Sequence, residues 1–203
     1  VFFSYQNKNF EETEVLKDIN IKIIKGDKIG IYGKSGSGKT TLVNLLSGFC
    51  EAKSGEMLIN DKKYNLNKYL FERSIGYVQQ STYVADETVK FNITLKKNNN
   101  EIDFNKLDKI LKILNIDQII SELPNGIDTS MGEKGSKFSG GQIQRIGIAR
   151  AIYRNPELLI LDEATNALDI TSQDQILKNI FEEFKNKTII LISHQSDNFN
   201  YCN

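Results

Sequence analysis

The chain has 203 residues, which is enough to bury the core of one sizeable domain. Its 26 basic residues balance its 26 acidic residues, so no net charge favours nucleic acid or an anionic membrane as a partner. The two cysteines, Cys50 and Cys202, lack metal-ligand spacing and suit a reducing compartment. No apolar run reaches the roughly 18 residues of a membrane helix, and no signal peptide is visible.

The amino-terminal segment predicts a partly exposed antiparallel sheet. Residues 1–5 and 19–23 each alternate between apolar and polar side chains, and the polar residues 6–14 between them predict a loop. Because the chain begins at Val1, inside a predicted strand and without methionine, we expect it to be a piece of a longer protein.

Residues 33–41, Gly-Lys-Ser-Gly-Ser-Gly-Lys-Thr-Thr, satisfy the phosphate-binding loop pattern G-x-x-x-x-G-K-[ST]. The apolar residues 28–32 before them predict a buried strand, and residues 41–46 predict a helix that ends near Gly48. A strand, a glycine-rich turn and a helix N-terminus in this order are the context that the motif requires. The sequence therefore predicts a nucleotide site here rather than a flexible Gly/Ser turn.

Each part of this loop has its own role in binding a polyphosphate. The glycines let the chain curl with its N–H groups facing inward, and the helix N-terminus adds a positive dipole end. Lys39 can reach the β- and γ-phosphates, and the hydroxyl of Thr40 can ligate Mg²⁺. The predicted nucleotide-binding residues of the loop are Gly33, Lys34, Ser35, Gly36, Ser37, Gly38, Lys39, Thr40 and Thr41.

The middle of the chain predicts a hairpin, a strand and then a block of helices. Residues 57–62 predict the hairpin, and residues 75–78 predict a strand that ends before Gln80. Apolar residues at helical spacing predict an amphipathic helix over residues 107–114, and residues 116–123 predict a second, short helix. This block predicts a helical subdomain inserted between two parts of an α/β core.

The last third of the chain alternates between helices and strands. Helices are predicted over residues 139–153 and 176–184, and short apolar strands over residues 158–161 and 188–193. Such alternation predicts a parallel sheet with crossover helices. The fold class that we predict is α/β: a P-loop NTPase core with a mixed or parallel sheet, an amino-terminal antiparallel part and an inserted helical subdomain.

Asp162 and Glu163 directly follow the apolar strand at 158–161, at the edge where parallel sheets place their ligand sites. One acid can hold Mg²⁺, directly or through water, while the other can orient or deprotonate a water molecule against a γ-phosphate. His194, the single histidine of the chain, follows the next strand and would lie beside them. Its position alone leaves its role open between packing and contact with the γ-phosphate.

Further motifs resemble the nucleotide-binding domain of ABC (ATP-binding cassette) transporters. Residues 138–142, Phe-Ser-Gly-Gly-Gln, are similar to the family's signature L-S-G-G-Q, and the residues that follow match the family's helix in register. Residues 160–169 resemble the family's Walker B strand, catalytic glutamate and D-loop, with Asn166 where serine is commoner. The resemblance implies that the nucleotide is ATP and that the domain is an ATPase.

The resemblance also implies roles for single residues. Gln80 lies where the family's Q-loop glutamine contacts Mg²⁺ and the γ-phosphate, and Tyr5 lies where an aromatic ring stacks on adenine. Glu163 is similar to the general base and His194 to the switch histidine. The predicted catalytic residues are Glu163, His194 and Lys39, the predicted ATP-binding residues outside the loop are Tyr5 and Gln80, and the predicted metal ligands are Thr40, Gln80 and Asp162.

The signature motif implies a protein partner. In the family, the helix that begins at this motif binds the ATP held by the opposite domain, so that two nucleotide-binding domains pair head-to-tail around two ATP molecules. A second nucleotide-binding domain is therefore an expected partner. The residues that the resemblance places against its ATP are Ser139, Gly140, Gly141, Gln142 and Asp169.

Two segments resemble exporters of this family. Residues 129–135 are similar to the exporter segment T-x-V-G-E-x-G, which contacts the membrane domain, and residues 87–93 are similar to the exporter segment after the Q-loop. We therefore expect an exporter motor at the cytoplasmic face of a bacterial membrane, with a membrane-spanning domain fused upstream.

A separate ATPase subunit of an importer is the alternative function. A DNA-maintenance clamp is disfavoured because its long coiled coil is missing between the phosphate loop and the signature, and no nucleic-acid partner is expected.

The resemblance extends over essentially the whole chain, so we predict one domain over residues 1–203. Residues 1–90 would hold the antiparallel part and the phosphate loop, residues 91–153 the helical subdomain, and residues 154–203 the rest of the α/β core. The family continues past the switch histidine with further strands and helices, so we expect the final part of the domain to be missing from this chain.

Overall fold

The computed structural model describes residues 1–6, 12–63 and 74–202. The strands are β1 (Phe3–Gln6), β2 (Glu12–Leu16), β3 (Lys28–Tyr32), β4 (Leu58–Ile59), β5 (Lys62–Lys63), β6 (Ile75–Val78), β7 (Leu158–Asp162) and β8 (Thr188–Ser193). The α-helices are α1 (Lys39–Leu46), α2 (Val89–Thr94), α3 (Phe104–Ile113), α4 (Ile116–Ser121), α5 (Gly140–Tyr153) and α6 (Ile170–Glu183).

A parallel sheet forms the centre of the described part of the chain, with the strand order β3-β8-β7-β6. Every residue of β8 is buried. The apolar run at its centre, residues 189–192, follows from this position, because a central parallel strand is covered on both faces. The prediction of an α/β fold with a parallel sheet and crossover helices is confirmed.

Alternate side chains of β7 and β8 pack on opposite faces of this sheet. Ile160, Ile190 and Ile192 pack with Val43 of α1 on one face. The residues between them, such as Leu159, pack in a larger hydrophobic cluster with α2, α3, α5 and α6. Since Asp162 is two positions beyond Ile160, its side chain lies on the face of α1 and the phosphate loop.

The predicted helical block is present as α2, α3, α4 and the long helix α5. Leu107, Ile110 and Leu111 of α3 are buried, as the helical spacing predicted. Asp103 caps this helix by accepting a hydrogen bond from the backbone N–H of Lys106 at 3.0 Å. These helices share one hydrophobic cluster with α6 and with one face of the sheet, so the block packs directly on the core.

The prediction for the amino-terminal sheet is partly wrong. Strand β1 pairs with β2, which overlaps the predicted loop at 6–14, whereas residues 19–23 form no strand. Leu16 of β2 is buried against Leu45 of α1, while Ile21 is 54% exposed. Two alternating segments compete for β1, and the burial of Leu16 on α1 selects the first. Residues 7–11 of the predicted loop lie outside the described residues.

The predicted hairpin is confirmed as the antiparallel pair β4 and β5. Asn60 and Asp61 form its turn with φ angles of 52° and 60°, the left-handed values that two-residue hairpin turns require. Across residues 1–6, 12–63 and 74–202, no helix has the length and apolar character needed to cross a membrane.

Candidate nucleotide site

The phosphate loop connects the carboxyl end of β3 to the amino end of α1. Gly36 and Gly38 have φ angles of 77° and 89°, which glycine adopts without steric cost. A Cβ atom at Gly38 would approach the Val15 carbonyl oxygen to 3.2 Å. Gly38 also occupies the N-cap of α1 and provides no side-chain cap. The first N–H groups of this helix can therefore bind an anion held in the loop.

The side chain of Lys39 folds back over this loop. Its Nζ donates to the carbonyl oxygens of Gly33 at 2.8 Å and Lys34 at 3.0 Å. The ammonium group therefore lies inside the curl of the loop, where the predicted phosphates would replace carbonyl oxygens as its acceptors.

A cavity of about 550 Å³ opens beside the loop, within the usual range for small-ligand sites. The loop residues Ser35, Gly36, Gly38, Lys39, Thr40 and Thr41 form one wall. Gln80, Asp162, Glu163 and His194 line it from the carboxyl ends of β6, β7 and β8, and Val15 lines it from β2. Parallel strands end at one edge, so residues far apart in sequence meet there.

Asp162 lies at the base of this cavity with only 6% of its surface exposed. Its Oδ2 accepts a hydrogen bond from the hydroxyl of Tyr77 at 3.0 Å, and the Thr40 Oγ1 lies 3.5 Å from the same oxygen. Burial raises the pKa of Asp162 above its usual value, and the Tyr77 hydrogen bond opposes this effect. Burial and the nearby carboxylate raise the pKa of Tyr77, so this hydroxyl remains a donor at neutral pH.

The carboxylate of Glu163 is held by polar side chains from neighbouring elements. Gln80 donates through Nε2 to Oε2 at 2.9 Å, and Asn166 donates through Nδ2 to the same oxygen at 3.0 Å. The Nδ1 of His194 lies 3.3 Å from Oε1. The structure thus brings together the predicted base, the Q-loop glutamine and the single histidine.

The backbone of Glu163 has a φ angle of 50°, in the left-handed region that residues with a side chain seldom adopt. Its N–H donates to the carbonyl oxygen of Ile192 at 3.0 Å, which ties the turn after β7 to β8. Strained residues of this kind cluster at functional sites, where the surrounding structure holds them in place.

Tyr5 lies beside the loop, and 45% of the residue is exposed. Its hydroxyl is 3.4 Å from the Thr41 Oγ1, and the ring of Phe3 packs edge-on against it. An exposed aromatic ring beside the phosphate loop agrees with the expected adenine contact, which stays a prediction.

The signature residues lie outside this cavity. Ser139 caps α5: its Oγ accepts from the N–H of Gln142 at 3.3 Å, and the Gln142 Oε1 accepts from the N–H of Ser139 at 2.8 Å. Ser139 and Gly140 are exposed, and Asp169 caps α6. The role of Ser139, Gly140, Gly141, Gln142 and Asp169 at the ATP of a second domain stays a prediction.

Tyr77, Asn166 and Val15 were not predicted as site residues. Alternation along the strand gives the sheet face of Tyr77, which is the face of Ile160, and the sequence contains this signal. Alternation does not give the strand order, so it could not show that Tyr77 lies next to the strand of Asp162. Asn166 was noted only as a departure from the family's serine. Val15 reaches the cavity because β2 packs on the loop, a contact that no local pattern reveals.

The chain is similar in sequence to proteins of a known family. The family model for ABC transporters matches residues 16–166. A putative multidrug export ATP-binding/permease protein of Staphylococcus aureus (strain bovine RF122 / ET3-1) is 40% identical over 190 residues, which cover 92% of this chain and 32% of that protein. A probable ABC transporter ATP-binding/permease protein of Haemophilus influenzae is 37% identical over 200 residues, covering 97% of this chain and 36% of that protein.

Among solved structures, that of a bacterial Atm1-family ABC exporter with ATP bound matches with a TM-score of 0.87 and 30% identity. The match covers 98% of this chain and 34% of that chain. The chain thus spans about a third of the length of the curated relatives it matches. With a phosphate loop, an acidic pair and a histidine around one cavity, and a family match over most of its length, the chain belongs to the ABC transporter family and carries its ATPase domain.

Proposed function

We propose that this domain binds ATP with Mg²⁺ and hydrolyses it as the motor of an ABC exporter. The observation that carries this proposal is the convergence of Gln80, Asn166 and His194 on the carboxylate of Glu163 beside the phosphate loop. A carboxylate fixed at the edge of a phosphate site is placed to take a proton from a water molecule that attacks the γ-phosphate.

The loop would hold the phosphates chiefly by charge and by backbone N–H groups. The amino end of α1 directs its free N–H groups into the loop, and Lys39 adds a positive charge to the β- and γ-phosphates. Enzymes catalyse phosphoryl transfer mainly by positioning the reacting groups and by stabilising charge in the transition state. A loop that holds the phosphates in place and adds positive charge would contribute to both.

The residues at the base of the cavity fit a magnesium ion. Asp162 supplies a buried carboxylate, Thr40 a hydroxyl beside it, and Gln80 an amide on the same cavity. In the described part of the chain no group of three or more His, Cys, Asp and Glu side chains forms a metal cage. Proteins bind Mg²⁺ through one or two carboxylates together with substrate phosphates, and Asp162 beside Thr40 offers such a carboxylate. Bound there, Mg²⁺ would neutralise charge on the phosphate oxygens.

His194 would act on the terminal phosphate. Its side chain is about half exposed, lines the same cavity as the phosphate loop and lies against Glu163. We assign it a hydrogen bond to the γ-phosphate. Glu163 and His194 would thereby act on opposite partners of the reaction, the attacking water and the transferred group.

The assembly that we propose contains two such domains and a membrane-spanning domain. The names of the relatives describe ATP-binding/permease proteins, which supports a membrane domain in the same polypeptide. The ATPase domain would then lie at the cytoplasmic face of a bacterial membrane. The exposed amino end of α5, at Ser139 and Gly140, is the surface that would receive the ATP of the second domain.

The test is the variant Glu163→Gln in the purified full-length protein. Loss of a general base costs a factor of about 10² to 10⁴ in rate, so we expect phosphate release to fall at least 100-fold. Binding of a fluorescent ATP analogue should stay within threefold of the wild type, because the phosphate loop is unchanged.

The matched control is Glu157→Gln, which removes an equivalent charge from an exposed side chain paired with Lys187, outside the cavity. This control should hydrolyse ATP at the wild-type rate. If Glu163→Gln retains more than a tenth of the wild-type rate, Glu163 is not the general base.

The sequence of the intact gene tests the exporter part of the proposal. Six apolar spans of ~20 residues before residue 1 would support an exporter, and their absence would favour a separate importer subunit.

A further inference from the structure

Tyr77 reaches the candidate magnesium site from the neighbouring strand. It lies in β6 opposite Ile160 of β7, so both side chains are on the face that packs on α1. Asp162 is two positions beyond Ile160 on that same face. The tyrosine side chain spans this offset, and its hydroxyl donates to the Asp162 Oδ2 at 3.0 Å.

The core holds the tyrosine ring in place. Tyr77 packs against the hydrophobic cluster of Val43, Ile160 and Ile192. The ring of Phe49 lies 6.1 Å from it, centroid to centroid. A hydroxyl carried by a packed ring has little freedom to move, so its hydrogen bond imposes a position on its acceptor.

The acceptor is the side chain that would ligate the metal. Asp162 is almost fully buried, and the hydroxyls of Tyr77 and Thr40 both lie at its Oδ2. A carboxylate with one oxygen fixed cannot rotate freely about its terminal bond. The nearer of the two hydroxyls is that of Tyr77, at 3.0 Å against 3.5 Å for Thr40, so the tyrosine has the larger part in setting the lone pairs that Asp162 presents to the cavity.

We propose that Tyr77 is a positioning residue for the magnesium site, which fixes the carboxylate of Asp162 in the orientation that binds Mg²⁺ together with ATP. The inference rests on the function proposed above and extends it to a residue outside the phosphate loop and its acidic pair. Tyr77 acts through Asp162, and the nucleotide itself is held by other residues. Partners of this kind behind a metal ligand are typically worth 10- to 100-fold in metal affinity or activity.

The test compares the full-length wild-type protein with Tyr77→Phe, which removes one hydroxyl and keeps the packed ring. The probe is Mn²⁺ with the non-hydrolysable analogue AMP-PNP, and electron paramagnetic resonance measures the free Mn²⁺. We expect about tenfold weaker Mn²⁺ binding in Tyr77→Phe. The Mg²⁺ concentration for half-maximal ATP hydrolysis should rise by a similar factor, while the rate at saturating Mg²⁺ changes less than threefold.

The matched control is Tyr201→Phe. The hydroxyl of Tyr201 donates to the Asp174 Oδ1 at 2.8 Å on α6, so this variant breaks the same kind of hydrogen bond outside the cavity. It should bind Mn²⁺ as the wild type does. If both tyrosine variants lower the midpoint of thermal unfolding equally, and only Tyr77→Phe weakens Mn²⁺ binding, the effect belongs to the site and not to general stability.

A double-mutant cycle tests whether Tyr77 acts through Asp162. In the Asp162→Asn background, Tyr77→Phe should change Mn²⁺ binding by less than twofold, because the carboxylate that it positions is gone. Wild-type Mn²⁺ affinity in the single variant Tyr77→Phe, with its folding intact, would overturn the inference and leave the proposed function in place. Absence of Mn²⁺·AMP-PNP binding in the wild type would instead overturn the proposed function and this inference with it.

Discussion

The side chain of Glu163 receives polar contacts from segments that follow three different strands. Gln80 follows β6, Asn166 lies in the turn after β7, and His194 follows β8. Its own backbone adopts a left-handed conformation, which costs roughly 1–2 kcal/mol for a residue with a side chain. The backbone N–H of Glu163 is tied to the Ile192 carbonyl oxygen of β8, which helps to hold this conformation. Because the side chains around Glu163 contact its carboxylate, we expect their removal to affect rate.

At this scale we predict that Asn166→Ala slows ATP hydrolysis by about tenfold with little change in KM for ATP. The variant removes one charge-assisted hydrogen bond from the Glu163 carboxylate, a contact worth about 1.5 kcal/mol. Steady-state kinetics of the full-length protein would measure kcat and KM separately. Asn179→Ala, which loses a hydrogen bond to the Ile113 carbonyl outside the cavity, is the control. An unchanged kcat in Asn166→Ala would show that this contact does not position the base.

At the scale of elements, α5 connects the signature motif to the exporter-like segment. Ser139 and Gln142 close a capping box at its amino end. Near its carboxyl end, Arg150 donates to the backbone oxygen of Asn92 at 2.6 Å and to that of Tyr83 at 2.8 Å. Asn92 belongs to α2, within the segment 87–93 that resembles exporters. This segment pairs with residues 129–131, which belong to the segment expected to contact the membrane domain, so one side chain joins α5 to this pair of segments.

We predict that Arg150→Ala lowers the free energy of unfolding by about 2–4 kcal/mol. Hydrogen bonds to a charged group contribute about 1.5–3 kcal/mol, and the carbonyl oxygens of Tyr83 and Asn92 would lose their charged donor. Arg150→Lys should recover less than half of the loss, because an ammonium group cannot reproduce the planar fork of a guanidinium. Thermal unfolding of the full-length proteins measures the midpoints of Arg150→Ala and Arg150→Lys against that of the wild type. Equal midpoints for wild type and Arg150→Ala would contradict the link between these helices.

At the scale of the whole molecule, the described chain contains one complete phosphate cavity and one exposed signature surface. The cavity is lined by both loop and strand ends, whereas the amino end of α5 contributes nothing to it. A head-to-tail pair would bring the exposed amino end of one copy to the cavity of the other. Such a pairing would account for the exposure of Ser139 and Gly140 at the capped start of α5, and it stays a proposal.

Gly140→Ala tests this pairing without disturbing the fold. A Cβ atom at Gly140 would contact only the Ala167 side chain at 3.6 Å, an ordinary van der Waals distance, so the methyl group fits within one chain. If the proposed pairing holds, the added methyl group would lie at the surface that receives the ATP of the second domain and would crowd its phosphate. We predict at least tenfold slower ATP hydrolysis in the full-length protein with an unchanged or slightly higher midpoint of thermal unfolding, since alanine favours a helix over glycine. A wild-type hydrolysis rate would argue against the pairing.

The sequence by itself determined the local parts of this protein. The phosphate loop, the apolar strands of the parallel sheet and the amphipathic α3 were predicted from residue types and their spacing, and the family was expected from the resemblance of the signature and Walker B motifs. These features follow from short-range physics: glycine permits left-handed backbone, apolar spacing sets the buried face, and a central parallel strand that is covered on both faces is largely apolar. The acidic pair and the histidine were also placed at one edge, because parallel strands end together.

Only the tertiary structure decided which of two alternating segments pairs with β1, and which side chains surround the acids. The burial of Leu16 on α1 selects β2 over residues 19–23, and no local pattern contains that contact. The strand order β3-β8-β7-β6 places Tyr77 beside Asp162 and Gln80 beside Glu163. Alternation along a strand gives the face of each residue but not the neighbouring strand, because the free energy of strand pairing comes from residues distant in the chain.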